Sequence, residues 1–254
     1  MQGIKKYSLI IAMFCSLTVL AENKINFKRN YTGILGRNLK VSFQIKNNNG
    51  QITGFYFYQK IGVDIKIVGE LKGQVLNVYE LDHNNDTTAV IKATVCDSII
   101  NGEWINAKSK KRYPLKLTET SHEIIPLPEQ IEGQYKSNGC NLTLIISQVK
   151  GIYSYRFISK IRSLKGNISF SRGSENYIIL EGIEFAEDYF DVALPDDSEL
   201  SAHYEEMKKE GVRRVGIDCF LDEEQIIIQN YGNAMNYYVK LRDCGEKYIH
   251  LMKE

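Results

Sequence analysis

Short runs in which apolar and polar residues alternate recur along almost the whole chain. In NLKVSFQIK, for example, Leu39, Val41, Phe43 and Ile45 fall on one face. Because successive side chains of a β-strand point to opposite faces, this period of two predicts strands with one buried face. The runs are rich in β-branched and aromatic residues, and Gly, Asn and Asp turns separate them at roughly 8 to 12 residue spacing. The pattern predicts an all-β fold of antiparallel meanders that form sandwiches or barrels.

The stretch HEIIPLPEQ is the clearest boundary between two such domains. It contains Pro126 and Pro128, two of only 4 prolines, and closely spaced prolines resist both helix and central strand. We therefore predict two tandem β domains, an N-terminal one at 22–120 and a barrel-like one at 132–254, joined by a linker at 121–131. Each has a normal domain length and can bury a core of its own.

One segment, PDDSELSAHYEEMKKEGVRR, has the pattern of a helix near 197–210. Asp196 and Glu199 resemble a capping box, and Gly211 suits the position after the last turn. An apolar stripe at helical spacing consists of Leu200, Tyr204 and Met207. We expect this helix to pack across one end or face of the second domain.

The first residues, MQGIKKYSLIIAMFCSLTVLAENK, have the layout of a secretory signal peptide at 1–21. Lys5 and Lys6 precede an apolar run that is short for a bilayer span, and Val19 and Ala21 supply the small residues of a cleavage site. An uncleaved membrane anchor is the alternative. The signal predicts an exported protein, periplasmic or secreted, with no stable membrane insertion after cleavage.

Export changes the interpretation of the cysteines. Outside the predicted signal there are four, an even number that favours disulfides in an oxidising compartment. No pair has the CxxC spacing of a zinc site. We predict a Cys140–Cys244 bond, since these residues lie near the first and last strands of the second domain, which a closed sheet would bring together. Cys96 and Cys219 would form either a second bridge or two buried thiols.

The net charge of +1 hides two halves of opposite charge. Residues 22–120 carry 15 Lys and Arg against 9 Asp and Glu, whereas residues 121–254 carry 15 against 22. The halves could attract each other, or each could offer a patch to a charged partner. Neither half is basic enough to indicate nucleic-acid binding.

Catalytic and cofactor motifs are absent from the sequence. There is no G-x-S-x-G nucleophile elbow, no H-E-x-x-H metal helix, no phosphate-binding glycine loop and no calcium loop. We therefore predict no metal and no cofactor, and we regard enzymatic activity as the weaker hypothesis.

An acidic run from Glu181 to Glu199 contains no basic residue. Its members Glu187, Asp188 and Asp191 are candidates for docking a basic protein partner. Carboxylate pairs also serve as acid and base in glycan hydrolases, so a cell-wall or glycan hydrolase is one alternative function. Pairing with the preceding basic run, Lys150 to Arg172, is the simplest structural explanation.

The stretch IIIQNYGNAMNYY offers amides, a glycine and tyrosines together. Asn side chains can bond their own backbone, so the stretch suits an ordered corner between two strands. It could instead hold a small neutral polar ligand. The residues that would do so are Gln229, Asn230, Tyr231, Asn233 and Asn236.

The layout GFYFYQKIGVDIKIVGEL…VLNVYELD…INGEW…YPLKL resembles a β-rich domain of exported Gram-negative bacterial proteins without assigned activity. The residues that carry this likeness are Gly54, Tyr56, Tyr58, Ile65, Gly69, Glu80, Gly102, Trp104 and Pro114. The C-terminal IQNYGNAMNYYVKLRDCGEKYIHLMK is similar to the same class. The resemblance implies export and a β fold, and it implies no activity.

The sequence therefore predicts an exported binding protein, with an inhibitor or immunity-type protein that caps another protein as the main hypothesis. A calycin-like barrel that binds a small neutral polar ligand is the alternative from a different class. The hydrolase is the third.

Overall fold

The first domain is a closed eight-stranded antiparallel barrel in which each strand pairs with the next. The computed structural model describes residues 26–188, Ala202, 213–233 and 236–254. The strands of this barrel are β1 (Phe27–Leu35), β2 (Leu39–Asn48), β3 (Gln51–Tyr58), β4 (Ile65–Lys72), β5 (Val75–Leu81), β6 (Thr87–Cys96), β7 (Ile99–Asn106) and β8 (Arg112–Thr120). Pairing of β1 with β8 closes it.

Alternate residues of each strand fill the first barrel, as the period of two predicts. Tyr31, Phe43 and Tyr56 are fully or almost fully buried there. The barrel is narrow enough that adjacent strands approach closely at some interior positions. A Cβ added to Gly54 would lie 2.0 Å from the carbonyl oxygen of Gln44. Glycine is required at that position because any side chain would collide with the neighbouring backbone.

The second domain is also a closed eight-stranded antiparallel barrel. Its strands are β9 (Gly133–Ser137), β10 (Leu142–Val149), β11 (Ile152–Ile158), β12 (Ser163–Arg172), β13 (Asn176–Glu184), β15 (Val215–Leu221), β16 (Gln225–Gln229) and β19 (Tyr248–Lys253). A separate small sheet contains β14 (Glu187–Asp188), β17 (Tyr231–Asn233) and β18 (Asn236–Val239). Tyr238 of the small sheet packs against the core of the barrel.

Large side chains fill the interior of the second barrel. Tyr135, Leu144 and Phe157 have no solvent exposure, and Tyr153 and Tyr155 are buried beside them. Arg156, between two of these aromatics, points outward and is exposed. The interior of an eight-stranded barrel is just wide enough for side chains to fill it.

The segment between β8 and β9 lies against both barrels. Gln44 of the first barrel donates to the carbonyl of Ile124 at 2.6 Å, which explains why this outward-facing residue of β2 is buried. Asn176 of the second barrel donates to the carbonyl of Pro126 at 2.8 Å. The backbone between the barrels is thus hydrogen-bonded on both sides.

The predicted all-β fold with two antiparallel barrels is confirmed, and so is the Cys140–Cys244 bond. Cys96 and Cys219 are unpaired, and only Cys219 is buried, so neither expectation for that pair is met. Burial raises the pKa of the Cys219 thiol well above its usual range. The predicted helix near 197–210 lies outside the described residues. Within the described chain, no helix has the length and apolar character to traverse a bilayer.

Candidate functional site

A row of partly exposed apolar and aromatic side chains crosses the outside of the second barrel. In register, Tyr177 of β13 lies opposite Phe220 of β15, Phe220 opposite Ile227 of β16, and Ile227 opposite His250 of β19. We call these four residues the outer row. The rings of Tyr177 and Phe220 meet edge to face, with centroids 5.8 Å apart. Four adjacent strands therefore present one continuous surface.

The outer row faces solvent because the neighbouring residues in each strand occupy the core. Ile178, Cys219, Ile228 and Ile249 have no solvent exposure. Since side chains alternate between the two faces of a strand, the residues between them must point out. Outward residues of a barrel that faces water are normally polar, so an outward row that includes Tyr, Phe and Ile is a candidate contact surface.

Polar groups surround the outer row and complete a cleft of about 380 Å³, which we call the outer cleft. Its other lining residues are Glu175, Asp218, Gln229 and Tyr248. The hydroxyl of Tyr177 donates to Glu175 at 2.6 Å, and this hydrogen bond, with burial and the nearby carboxylates, raises the pKa of Tyr177 to about 12. Asp218, half exposed, forms an ion pair with buried Lys240 at 2.8 Å.

Two further clefts continue from this surface. The linker cleft, of about 510 Å³, shares Glu175 and Phe220 with it and is bounded by segment 125–129. The terminal cleft, of about 650 Å³, shares Glu129 and Glu223 with the linker cleft. It also contains Glu224, Lys253 and Glu254. The carboxylates of the three clefts outnumber their basic side chains, so the surface as a whole is acidic.

The amide-rich stretch 226–238 is distributed over several places. Gln229 is exposed and lines the outer cleft, where it lies opposite Tyr248. Tyr231, Asn233 and Asn236 belong to the small sheet, in which Asn233 pairs with Asn236. Tyr231 places its hydroxyl 3.5 Å from the carbonyl of Cys244.

Asn230 is fully buried and is bonded entirely to the protein's own backbone. Its amide nitrogen donates to the carbonyls of Leu241, Cys244 and Glu246 at 3.1, 2.9 and 3.3 Å. Its side-chain oxygen accepts the backbone N–H of Leu241 at 2.7 Å. These bonds favour the structural-corner interpretation at this residue, while ligand binding by the remaining amides stays a prediction.

The acidic candidates Glu187 and Asp188 lie in β14, and Asp191 lies outside the described residues. The Asp188 side chain has no exposure and accepts hydrogen bonds from both Nε and Nη2 of Arg214, the shortest at 2.6 Å from Nη2 to Oδ1. Glu187 lies 3.6 Å from Arg242. A partner could therefore reach Glu187 but not Asp188. The printed ion pairs of Glu187 and Asp188 are thus made with arginines that follow them in the chain, at positions 242 and 214.

The first barrel holds a buried carboxylate among neutral donors. Glu80 is 9% exposed and accepts from the Tyr56 hydroxyl at 2.5 Å, from Trp104 Nε1 at 2.7 Å and from the Thr88 hydroxyl at 2.6 Å. Burial, with Glu80 alongside, raises the pKa of Tyr56 far above its usual range. Tyr56, Glu80 and Trp104, which belong to the GFYFY…VYEL…NGEW layout, therefore form one hydrogen-bonded network in the interior of the barrel.

Replacing Glu80 with glutamine should lower the free energy of unfolding by about 1–2 kcal/mol, because the bonds from Tyr56 and Trp104 lose their charged acceptor. Urea unfolding monitored by Trp104 fluorescence measures this loss. Glu103→Gln is the matched control, since its ion pair with Arg112 is exposed and should contribute little. Equal effects of both substitutions would show that the Glu80 network adds no stability.

No metal-binding geometry arises from the described carboxylates and cysteines. The one cluster of ligand-type atoms among the described residues consists of Cys140, Cys244 and Glu246. Because the two sulfur atoms are bonded to each other, they are not available as thiolate ligands.

The outer row was not predicted from the sequence. Its residues occur singly, between core positions of four separate strands, and only the register brings them together. The available signal was that Tyr177 in YIILEGIEF and Phe220 in IDCF are bulky residues at positions that alternate with the core positions. Comparisons of this chain with family models, curated proteins and solved structures found no match.

Proposed function

We propose that this protein is an exported interaction protein that binds a basic protein partner through the outer face of its second barrel. The observation that carries the proposal is the outer row, which places Phe220 and Ile227 at the centre of a surface edged by carboxylates. Aromatic and apolar contacts at the centre with a polar edge are typical of protein interfaces. Carboxylates around such a centre favour a partner of opposite charge.

Export is supported by two independent features. The Cys140–Cys244 bond suits an oxidising compartment. The N-terminal pattern of lysines, apolar run and small residues is typical of a signal peptide. We therefore place the partner outside the cytoplasm. A closed barrel presents a preformed surface. It therefore suits an inhibitor or immunity-type protein, which caps its target, better than it suits a binder that must change shape.

The two other functions have less support from the structure. A calycin-like ligand barrel needs interior space, whereas Tyr135, Leu144 and Phe157 occupy the described interior. A hydrolase based on the acidic run needs free carboxylates, whereas Asp188 is held by Arg214.

The test uses the purified full chain to capture proteins from a cell-envelope extract of the source organism at low salt. The captured protein should be basic and should be released as salt rises, because screening weakens charge complementarity. Its affinity should fall by about tenfold or more for the double variant Ile227→Ala/Tyr248→Ala, which removes the central Ile227 side chain and the aromatic ring of Tyr248 beside the outer row.

Tyr79→Ala is the matched control, because Tyr79 is an exposed aromatic on the first barrel. It should leave the affinity unchanged. An acidic captured protein, or equal affinity for the double variant and wild type, would refute the proposal.

A further inference from the structure

The basic residues in the turns of the first barrel all lie at one end of it. Because each strand pairs with the next, the turns after β1, β3, β5 and β7 lie at one end and the turns after β2, β4 and β6 lie at the other. The first end has exposed basic residues in three of its turns, namely Arg37, Lys60, Lys108, Lys110 and Lys111. The turns at the other end, 49–50, 73–74 and 97–98, contain no lysine or arginine.

Two of the basic turns, β1–β2 and β7–β8, lie side by side. The pairing of β1 with β8 continues to Leu35 opposite Leu115, and the backbone N–H of Gly36 then donates to the carbonyl of Pro114 at 2.8 Å. A Cβ added to Gly36 would lie 3.7 Å from Cδ1 of Tyr113, so this ring lies beside the β1–β2 turn. The two turns therefore present their side chains on one continuous surface.

Asn106 fixes the shape of the β7–β8 turn. Its Oδ1 accepts the backbone N–H groups of Lys108 and Ser109 at 3.1 and 2.8 Å. Its carbonyl accepts the backbone N–H of Lys110 at 3.0 Å, and its own N–H donates to the carbonyl of Lys111 at 3.0 Å. These bonds use only the backbone groups of the three lysines, whose side chains stay exposed.

Exposed apolar side chains lie among these basic residues. Leu39 is 52% exposed and stands between Arg37 and Lys40 in the chain. Ile34 is 46% exposed and lies between Lys40 of β2 and Lys116 of β8 in register. We call this surface the basic rim, and it consists of Ile34, Arg37, Leu39, Lys40, Lys108, Lys110, Lys111 and Tyr113.

The charge of the basic rim is not neutralised within the protein. None of its five basic side chains forms an ion pair with a described residue. The carboxylates in the turns at this end of the barrel are Asp64, which pairs with Arg172, and Asp82 and Asp86 of the β5–β6 turn. Basic side chains therefore outnumber the remaining acidic ones, and the rim attracts anions.

The arrangement of the basic rim suits an anionic lipid surface better than a protein. The outer row of the second barrel has apolar residues at its centre and polar ones at its edge, as protein interfaces do. In the rim, basic and apolar side chains are instead interspersed on neighbouring turns. Basic groups so placed can meet phosphate headgroups while the apolar side chains beside them enter the boundary of the acyl chains, where tyrosine is also common.

We propose that the basic rim attaches this protein peripherally to membranes that contain anionic phospholipids. Attachment of this kind leaves both barrels outside the bilayer, and only the side chains of the rim reach it. The inference goes beyond the proposed function and does not rest on it, because the rim and the outer row lie on different barrels.

The test measures how residues 22–254 cosediment with lipid vesicles. This chain contains every described residue and lacks the apolar N-terminal run, which would bind vesicles by itself. Vesicles of phosphatidylcholine mixed with phosphatidylglycerol should bind it, and vesicles of phosphatidylcholine alone should not. Lys108→Gln/Lys110→Gln/Lys111→Gln should lower the affinity by about tenfold or more, because each basic residue near an anionic surface contributes about fivefold. Ile34→Gln/Leu39→Gln should lower it by about fivefold or more.

The matched control is Lys150→Gln/Lys160→Gln/Lys165→Gln, which removes three exposed lysines from the second barrel. It changes the net charge equally and should retain vesicle binding. Equal losses in the two triple variants, or equal binding to vesicles without phosphatidylglycerol, would overturn the proposal.

Two further outcomes would assign the rim to another ligand. Inorganic phosphate, at the phosphate concentration of the vesicles, should not displace the protein, and displacement would mean that the rim binds single phosphate groups and not a bilayer. Capture of an acidic protein that depends on Lys108, Lys110 and Lys111, without any vesicle binding, would mean that the rim is a protein interface. Either result would overturn attachment to lipid.

Discussion

Replacing Cys140 and Cys244 with serine should lower the free energy of unfolding of the second barrel by about 4.7 kcal/mol. The bond joins residues separated by 104 positions, and a loop of about 100 residues has this chain-entropy effect. Cys96→Ser should have almost no effect, because Cys96 is exposed and unpaired. Urea unfolding of both variants under non-reducing conditions measures the difference.

The loss should be localised, because the bond lies near one of the two strand pairings of this barrel that consist of only two residue pairs. The pairing of β9 with β19 closes the sheet through only two residue pairs, Met252 with Lys136 and Lys253 with Tyr135. The β10–β11 hairpin has seven pairs. Amide hydrogen exchange should therefore accelerate first in β9 and β19. Faster exchange in the first barrel instead would contradict this account.

The disulfide could be predicted from sequence because closure of a sheet is a topological constraint. If the strands of a meander close, the first and last must meet, and Cys140 and Cys244 lie beside them. The strands themselves were predictable for a similar reason. In β2 the residues Val41, Phe43 and Ile45 alternate with polar ones, and a strand buried on one face requires this.

The outer row could not be predicted, because it depends on register across four strands. A shift of one residue in β15 would move Phe220 out of line with Tyr177 and turn it into the barrel. The sequence does not state which residues face each other. The burial of Gln44 and Phe57 is a second example, since both point out of the first barrel and are covered only by parts of the chain distant in sequence.

The opposite net charges of the two halves suggested a general attraction between them. The contact that the structure describes depends on one particular side chain. A single arginine of the acidic half, Arg172, enters the basic half. It donates to Asp64 at 2.7 Å and to the carbonyl of Gly62 at 2.5 Å, and its guanidinium lies 4.3 Å from the Phe57 ring centroid. The second half keeps its excess of acidic residues, and part of this excess lines the clefts on its outer face, where we propose that the partner binds.

Arg172→Met should lower the free energy of unfolding by about 3–5 kcal/mol, the usual effect of removing one partner of a buried ion pair. Arg172 is 4% exposed, and its loss leaves Asp64 with the backbone N–H of Leu127 as its remaining donor. Scanning calorimetry should resolve separate transitions for the two barrels in this variant. Arg156→Met, which changes an exposed arginine of β11, should retain the wild-type profile.

The pH dependence of this loss identifies its cause. Burial raises the pKa of Asp64 above its usual value although Arg172 lowers it, so removing Arg172 should raise it further. A carboxyl whose pKa is raised by folding contributes stability below its unfolded pKa, and that contribution is lost as pH rises through the folded pKa. The difference in the free energy of unfolding between variant and wild type should therefore be largest at neutral pH and should shrink towards about pH 4.

Adding Asp64→Asn to Arg172→Met should recover part of the loss at neutral pH, because it removes the unpaired charge. A difference that is constant with pH, or no recovery in the double variant, would mean that Arg172 joins the barrels through its packing on Phe57 and its backbone hydrogen bonds and not through Asp64.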